Sequence, residues 1–479
     1  MLDTAYASIH EVHQAYKKKE ITVTEVVLQF LSRIAKLDSG ADGLKSVIEI
    51  NPDAIFIAKS LDYKMKELDS LPPLFGIPIL LKDNINTKDR MHTTAGSVAL
   101  ADNYAPYDAH IVKLLREAGA LILGKANMTE FANYMSRDGM PSGYSSRGGQ
   151  VLNPYNRDES PSGSSSGSAV AVAAGLCTVS IGTETSGSIL HPAWKNGVVG
   201  IKPTIGLVSR SGIVPISSTH DTAGTMTQTV TDAAILLSVI AGVSSCDAAT
   251  LSFPVAHNYT KYLDPNSLKG CRIGINRSQK LENFSLQEEE KAVFDNLCKI
   301  VESAGAILVD NVNIDSNFSI GKIMRNEFKA CMNYYLSTLG DSTKIKTLKD
   351  IVEYNQVYAS VALKYGQSIL IDAENNTSGT MTEPEYLEAL LERETSIVEL
   401  DKLFDDNSID IMLCETFTNI APFTGFPSIS IPIGQKTDAL PIGSYWIARR
   451  FDEATLIKIA YAVEQALNLC IKPKFGGEN

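Results

Sequence analysis

The chain has 479 residues, 44% hydrophobic and 20% charged, the balance of an ordinary globular protein rather than a fibrous or disordered one. Its formal net charge of −12 argues against a basic nucleic-acid-binding face, so no nucleic-acid partner is expected. Seven cysteines, Cys177, Cys246, Cys271, Cys298, Cys331, Cys414 and Cys470, stand singly without a C-x-x-C pair, which reads as reduced thiols in a cytoplasmic protein.

The opening Met1-Leu-Asp-Thr-Ala-Tyr-Ala lacks a basic region followed by an apolar core, so no signal peptide is expected. Residues 3–70 read as helical. Ser8–Lys19 has apolar residues at helical spacing with lysines near its end, where they suit the helix dipole. Thr22-Val-Thr-Glu25 is a capping box before a second helix. His10 and His13 are three apart, but no third ligand accompanies them, and packing or surface roles are favoured over a metal.

Leu71-Pro-Pro marks a boundary, and Phe75-Gly-Ile-Pro-Ile-Leu-Leu81 is an apolar strand running into Lys82 and Asp83. Such a run fits a strand covered on both faces of a mixed or parallel sheet. A lysine at its end is either half-buried with a lowered pKa or reaches out to solvent. Ile111–Gly119 is an amphipathic helix followed by the strand Leu121-Ile-Leu123. Gly119–Ala126 approaches a phosphate-binding loop, but Ala126 replaces the metal-binding hydroxyl and a strand occupies the loop, so nucleotide binding is rejected. Asn127–Asn133 is expected to start another helix.

Two serine and glycine clusters follow, Ser162-Gly-Ser-Ser-Ser-Gly-Ser168 and Thr185-Ser-Gly-Ser188. Between them, Ala169–Gly175 reads as a buried small-residue helix and Thr178–Gly182 as a short strand. That run is too short and too punctuated to span a bilayer. A flexible linker would not be followed by so tightly packed an Ala/Val run. A loop of backbone N–H groups ending at a serine can aim a nucleophile and oxyanion donors at one point. A Ser-His-Asp triad using His191 or His220 is conceivable, and a serine–lysine arrangement needs no histidine.

Further on, Val208–Thr225 alternates short strands and turns, and Val230–Gly242 is a buried helix. Ser267–Asn276 reads as a turn and a strand, with helices at Gln287–Ala304, Lys322–Leu339 and Glu383–Phe404. This polar, helical portion reads as an insertion or lobe covering a site and setting substrate specificity. Ile409–Cys414, Phe426–Ile433 and Leu440–Ile447 are strands, and Asp452–Asn468 is a closing helix.

The serine clusters, Gly76-Ile-Pro-Ile-Leu-Leu-Lys-Asp-Asn84, Gly124-Lys-Ala-Asn127, Gly197–Pro203, Gly206–Gly212 and Gly425-Phe-Pro-Ser-Ile429 together resemble the amidase signature family, in order and over all but roughly residues 250–400. The resemblance is greatest to its bacterial peptide-amidase branch, through Gly148-Gly-Gln, Gly182-Thr-Glu-Thr185 and Asp221-Thr-Ala-Gly224. It implies a large mixed twisted sheet sandwiched between helices (α/β/α). It implies one domain over 1–479, with N-terminal helices about 3–70 and a helical insertion or lobe about 280–405. It also implies cleavage of a carboxamide C–N bond without metal or cofactor. Ser188 matches the nucleophile, Ser164 a bridging serine whose peptide bond is cis in the family, and Lys82 the base. The separation of 24 residues between Ser164 and Ser188 agrees with the family and selects Ser164 over its neighbours. Backbone N–H groups of Thr185, Ser186, Gly187 and Ser188 would form the oxyanion hole, Ser165 would support the network, and Asn133 would line the substrate pocket or pack on a helix face.

Departures accompany the likeness. Many members carry Asp, Gly and Arg where this chain has Glu184, Ser186 and Leu190, so a salt bridge beneath the oxyanion loop is expected to be absent or rearranged. The expected partner is a small-molecule or peptide amide, with no membrane association, in a cytoplasmic monomer or homo-oligomer. Two alternatives are the amidase-like component of a glutamyl-tRNA amidotransferase, which releases ammonia from glutamine within a complex, and a degenerate amidase scaffold.

Overall fold

The computed structural model describes residues 2–252, 258–277, 286–314 and 318–475. Residues 280–285 and 315–317, within the expected lobe, lie outside them.

Local signals set the helix starts. Ser8 and Thr22 cap the helices Ile9–Lys17 and Val23–Leu37, each with a reciprocal bond from the glutamate three residues on. The helical expectation for residues 3–70 misses one element, the strand Val47–Ile50. That strand is formed by pairing with Leu121–Ala126, far away in sequence, which local propensity does not report.

An eleven-stranded mixed sheet runs through the molecule. In spatial order its strands are Val47–Ile50, Leu121–Ala126, Pro78–Lys82, Val179–Glu184, Thr222–Thr227, Val199–Lys202, Ser428–Gln435, Pro441–Ile447, Ile411–Cys414, Arg272–Asn276 and Ile307–Val309. Pro78–Lys82 runs parallel to both neighbours, and all five of its residues are buried. The sheet's middle is antiparallel, from Val179–Glu184 through to Ile411–Cys414, and its far edge is parallel again.

Helices cover the sheet, as the family resemblance implied. Ser166–Ala173, buried along its whole length, packs on Val179–Glu184. Its small side chains allow this close approach: a Cβ at Gly167 would sit 2.3 Å from the carbonyl oxygens of Ser46 and Asn127. Val230–Ile240 and Glu453–Leu467 pack on each other and on the sheet. Glu288–Ser303 also joins this main core through Phe294, Leu297 and Val301. The helices Ile320–Thr338, Leu348–Val357 and Ser368–Asn376 instead share a second apolar cluster with Leu100, Met128, Phe131 and Met135. Among the described residues no helix is long and apolar enough to cross a membrane.

The expected helix from Asn127 does not form. Glu130–Asn133 is a single tight turn in which Phe131, Ala132 and Asn133 all have positive φ. The amide of Phe131 bonds to the Ala95 carbonyl, and the Glu130 carboxyl takes the Ser146 N–H at 2.7 Å. These tertiary bonds override the local helical pattern.

Candidate active site

In a sheet of this kind the site lies where strands end at their carboxyl ends. Lys82 ends Pro78–Lys82, and Thr183 and Glu184 end the adjacent parallel strand. The Ser166–Ala173 helix, packed against the same strands, places its preceding loop over those ends.

Lys82 Nζ donates to Ser164 Oγ at 2.8 Å and to the Thr183 carbonyl at 3.1 Å. Lys82 is wholly buried, and burial brings its pKa from 10.5 down to about 7, against the opposing pull of Glu184 and Asp221. The Gly163–Ser164 peptide is cis. A Cβ at Gly163 would lie 2.4 Å from Thr129 Oγ1, so the loop is held tightly at this point.

Ser165 ties the two serine clusters together. Its N–H donates to the Ser188 carbonyl at 3.1 Å. Its hydroxyl donates to the Thr183 carbonyl at 3.0 Å and accepts the Thr183 N–H at 3.2 Å. Ser188 is buried at the head of the helix Leu190–Lys195.

Each residue of the second cluster is anchored separately. Thr185 Oγ1 donates to Asp221 Oδ1 at 2.6 Å, and Ser186 Oγ to Asn419 Oδ1 at 3.1 Å. Gly187 has φ +79°, and a Cβ there would meet the Phe417 ring at 2.9 Å. Both facts call for glycine. Beneath the loop, the Glu184 carboxyl accepts the N–H groups of Ile189 at 2.7 Å and Leu190 at 3.0 Å. Burial raises the Glu184 pKa, opposed first by Lys202 and then by these amides and that of Gly187. With leucine at position 190, the cationic influence comes from buried Lys202 on the strand Val199–Lys202, its own pKa lowered to about 8 by burial.

A cavity of about 600 Å³ opens beside this loop. Thr183, Thr185, Asp221 and Asn84 line it, and Asn84 Nδ2 donates to Thr183 Oγ1 at 2.9 Å. Much of the opposite wall is apolar or aromatic, including Ile213, Val214, Tyr107, Tyr334 and Tyr335. The three tyrosines and Cys331 bring the Ile320–Thr338 helix and the chain around residue 107 onto the site. Asn133 does not line this cavity. The left-handed turn leaves it exposed, and its neighbour Ala132 faces the cavity instead.

Neither histidine of the conceivable triad joins the Lys82–Ser164 bond. His191 is half-buried, its ring centroid 3.9 Å from that of Phe417, and desolvation pushes its pKa down to about 3. His220, also near 3 through burial, has Nδ1 3.2 Å from Ser217 Oγ. Lys125 of the near-miss phosphate loop is committed to the Ile85 carbonyl at 2.5 Å and to Thr93 Oγ1 at 3.0 Å.

Comparison with known proteins decides the family. The amidase family profile matches residues 25–457. The chain belongs to the amidase family. A probable amidase of Arabidopsis thaliana is 39% identical, over 98% of this chain and 91% of its own length. The peptide amidase of Stenotrophomonas maltophilia superposes with a TM-score of 0.91 at 37% identity, covering 99% of both chains. A component of the glutamyl-tRNA(Gln) amidotransferase of Persephonella marina is 32% identical over 95% of this chain and 96% of its own length. The protein is an amidase, a hydrolase of amide C–N bonds.

Several residues around the candidate site have no role that local sequence suggests. Asp221 and Glu184 stand in polar stretches, Thr219-His-Asp-Thr222 and Thr183-Glu-Thr185, so their neighbours do not mark them. Asn84, two residues after Lys82 and next to Asp83, is likewise unmarked by its neighbours. Asn419 and Phe417 reach the loop from more than two hundred residues away, and nothing local marks them.

Proposed function

We propose that this amidase hydrolyses a carboxamide through an acyl-enzyme on Ser188, with Ser164 relaying protons and Lys82 as the base. Ser188 Oγ attacks the carbonyl carbon. Its proton passes to Ser164, whose own proton passes to neutral Lys82. The tetrahedral oxyanion is held by backbone N–H groups of the Thr185–Ser188 loop. Thr185, Ser186 and Ser188 supply the donors, and the Gly187 amide is shared with the Glu184 carboxyl. Collapse of the adduct expels ammonia or an amine, which takes a proton back along the same relay. Water then repeats the sequence and releases the carboxylate.

The observation that carries this reading is the 2.8 Å bond between a fully buried lysine, its pKa near 7, and the serine of the cis peptide. A lysine so tuned is half neutral near pH 7 and can accept a proton from a hydroxyl. The occupied positions Lys82, Ser164 and Ser188 support an active enzyme over a degenerate scaffold.

The cavity supports an uncharged amide as substrate, such as the C-terminal carboxamide of a peptide. Among its charged lining residues Arg210, Asp247 and Asp221 are already committed, while Lys113 is exposed. Arg210 pairs with Asp247 at 2.6 Å, and Asp221 holds Thr185 and the amides of Ile216 and Ser217. The likeness to an amidotransferase component supports glutamine as a second reading, but glutamine would bring two charges to these engaged groups. Ammonia release from C-terminally amidated peptides, aliphatic and aryl amides, and glutamine, by the isolated chain and by Ser188→Ala, tests both. Release from peptide or simple amides that is lost in the variant supports the proposal. Release from glutamine alone favours the second reading.

A further inference from the structure

We infer that Glu327, on the helix Ile320–Thr338, is a positioning residue that fixes the oxyanion loop through the turn at residues 217–219 and Asp221. The inference rests on the proposal that Ser188 is the nucleophile and Thr185–Ser188 the oxyanion loop.

Glu327 is fully buried, and its carboxylate accepts four hydrogen bonds. Oε2 takes the Ser217 hydroxyl and the Thr219 N–H, the latter at 3.0 Å. Oε1 takes the Thr219 hydroxyl and the Tyr386 hydroxyl, the latter at 2.8 Å. A carboxylate that served only to join helices would spend its bonds between helices. Here one donor comes from the neighbouring helix Pro384–Asp406 and three come from the turn.

The turn leads directly to the loop. Ser217 gives its hydroxyl to Glu327 and its N–H to Asp221 Oδ2, at 2.9 Å. Asp221 Oδ2 also takes the Ile216 N–H, and Oδ1 takes Thr185 Oγ1 at 2.6 Å. Glu327, Ser217, Asp221 and Thr185 thus form one unbroken chain of hydrogen bonds. The same helix reaches the substrate cavity one and two turns later, through Cys331 and Tyr335. Tyr335 also donates to Asn86 Oδ1 at 2.8 Å, four residues beyond Lys82. The wall that meets the substrate and the loop that holds the oxyanion are therefore mechanically one unit. Glutamine at 327 keeps the shape but replaces one acceptor oxygen by a donor, which leaves part of the turn without its partner.

The test uses the full chain and an alkyl fluorophosphonate. Attack of Ser188 Oγ on phosphorus expels fluoride, and the developing phosphoryl oxygen draws on the oxyanion loop, so the rate reads loop geometry without an identified substrate. Glu327→Gln and Ser217→Ala are each expected to slow labelling of Ser188 by about 10-fold, less than the loss of an oxyanion donor itself. Thr185→Val is expected to slow it as well. Combining Glu327→Gln or Ser217→Ala with Thr185→Val should add less than about two-fold, because both act on one path. A purely structural role for Glu327 would leave the two effects independent and multiplicative. Multiplicative effects, or wild-type labelling rates in both Glu327→Gln and Ser217→Ala, overturn the inference while the Ser188 proposal stands. If Glu327→Gln does not fold, the smaller Ser217→Ala change carries the same cycle. A wild-type protein in which Ser188 is not labelled overturns both.

Discussion

Changing Lys82 to methionine separates the two consequences of burying a base. Burial brings the lysine pKa from 10.5 to about 7, a shift worth about 5 kcal/mol. Because the folded pKa is depressed, the folded protein binds fewer protons than the unfolded chain between about pH 7 and 10.5. Stability therefore rises with pH across that window, and the burial cost is fully felt below it. Methionine fills similar volume and carries no charge. Lys82→Met should accordingly exceed wild type in stability near pH 7, and its advantage should shrink by about 4 kcal/mol on going to pH 10. Urea unfolding of both proteins at the two pH values measures this. Lys125 and Lys202, also buried with lowered pKa values, are present in both proteins and cancel in the difference. The same pKa shapes catalysis. The neutral fraction of Lys82 rises from about one tenth at pH 6 to about nine tenths at pH 8, so kcat/KM for ammonia release should rise roughly tenfold over that range. The variant, though more stable, should be inactive. A stability gap independent of pH, together with a flat activity profile between pH 6 and 8, would refute the reasoning.

Other expectations follow from the same geometry. Ser164→Ala removes the relay and should lower kcat by about 10³-fold or more with the nucleophile still present, measured as steady-state amide turnover. Asp221→Asn removes one of the charges that hold the Lys82 pKa up, so the acid limb of the pH–rate profile should move below pH 7; an upward move contradicts the assignment of Asp221 as a favourable charge. Gly187→Ala places a methyl group against Phe417 at a positive φ and should cost about 1–3 kcal/mol in stability along with most of the activity, checked by denaturation and turnover.

Much of this architecture can be read locally. The fully apolar Phe75–Leu81 run gives a strand buried on both faces, and Thr22 with Glu25 gives a helix start, because short-range patterning decides both. The serine and glycine clusters point to the candidate site through their likeness to the amidase signature family. Legibility ends where distant contacts decide the outcome. Asn127–Asn133 has a helical pattern but becomes a left-handed turn, since the Phe131 and Glu130 partners lie on other segments. That turn is also why Asn133 faces solvent. Val47–Ile50 is too short to announce itself and exists through its pairing with Leu121–Ala126. Asn419, Phe417 and Glu327 show their relation to the loop only in three dimensions, the first two from one distant segment and Glu327 from another, through Ser217 and Asp221.

The most direct test of the central claim is acid-quenched mass spectrometry of the enzyme during turnover of a C-terminally amidated peptide. A transient increase equal to the peptide acyl group is expected, mapped to Ser188 and absent from Ser188→Ala. Ammonia release by both proteins at equal rates, or an acyl group mapped to another residue, would contradict it.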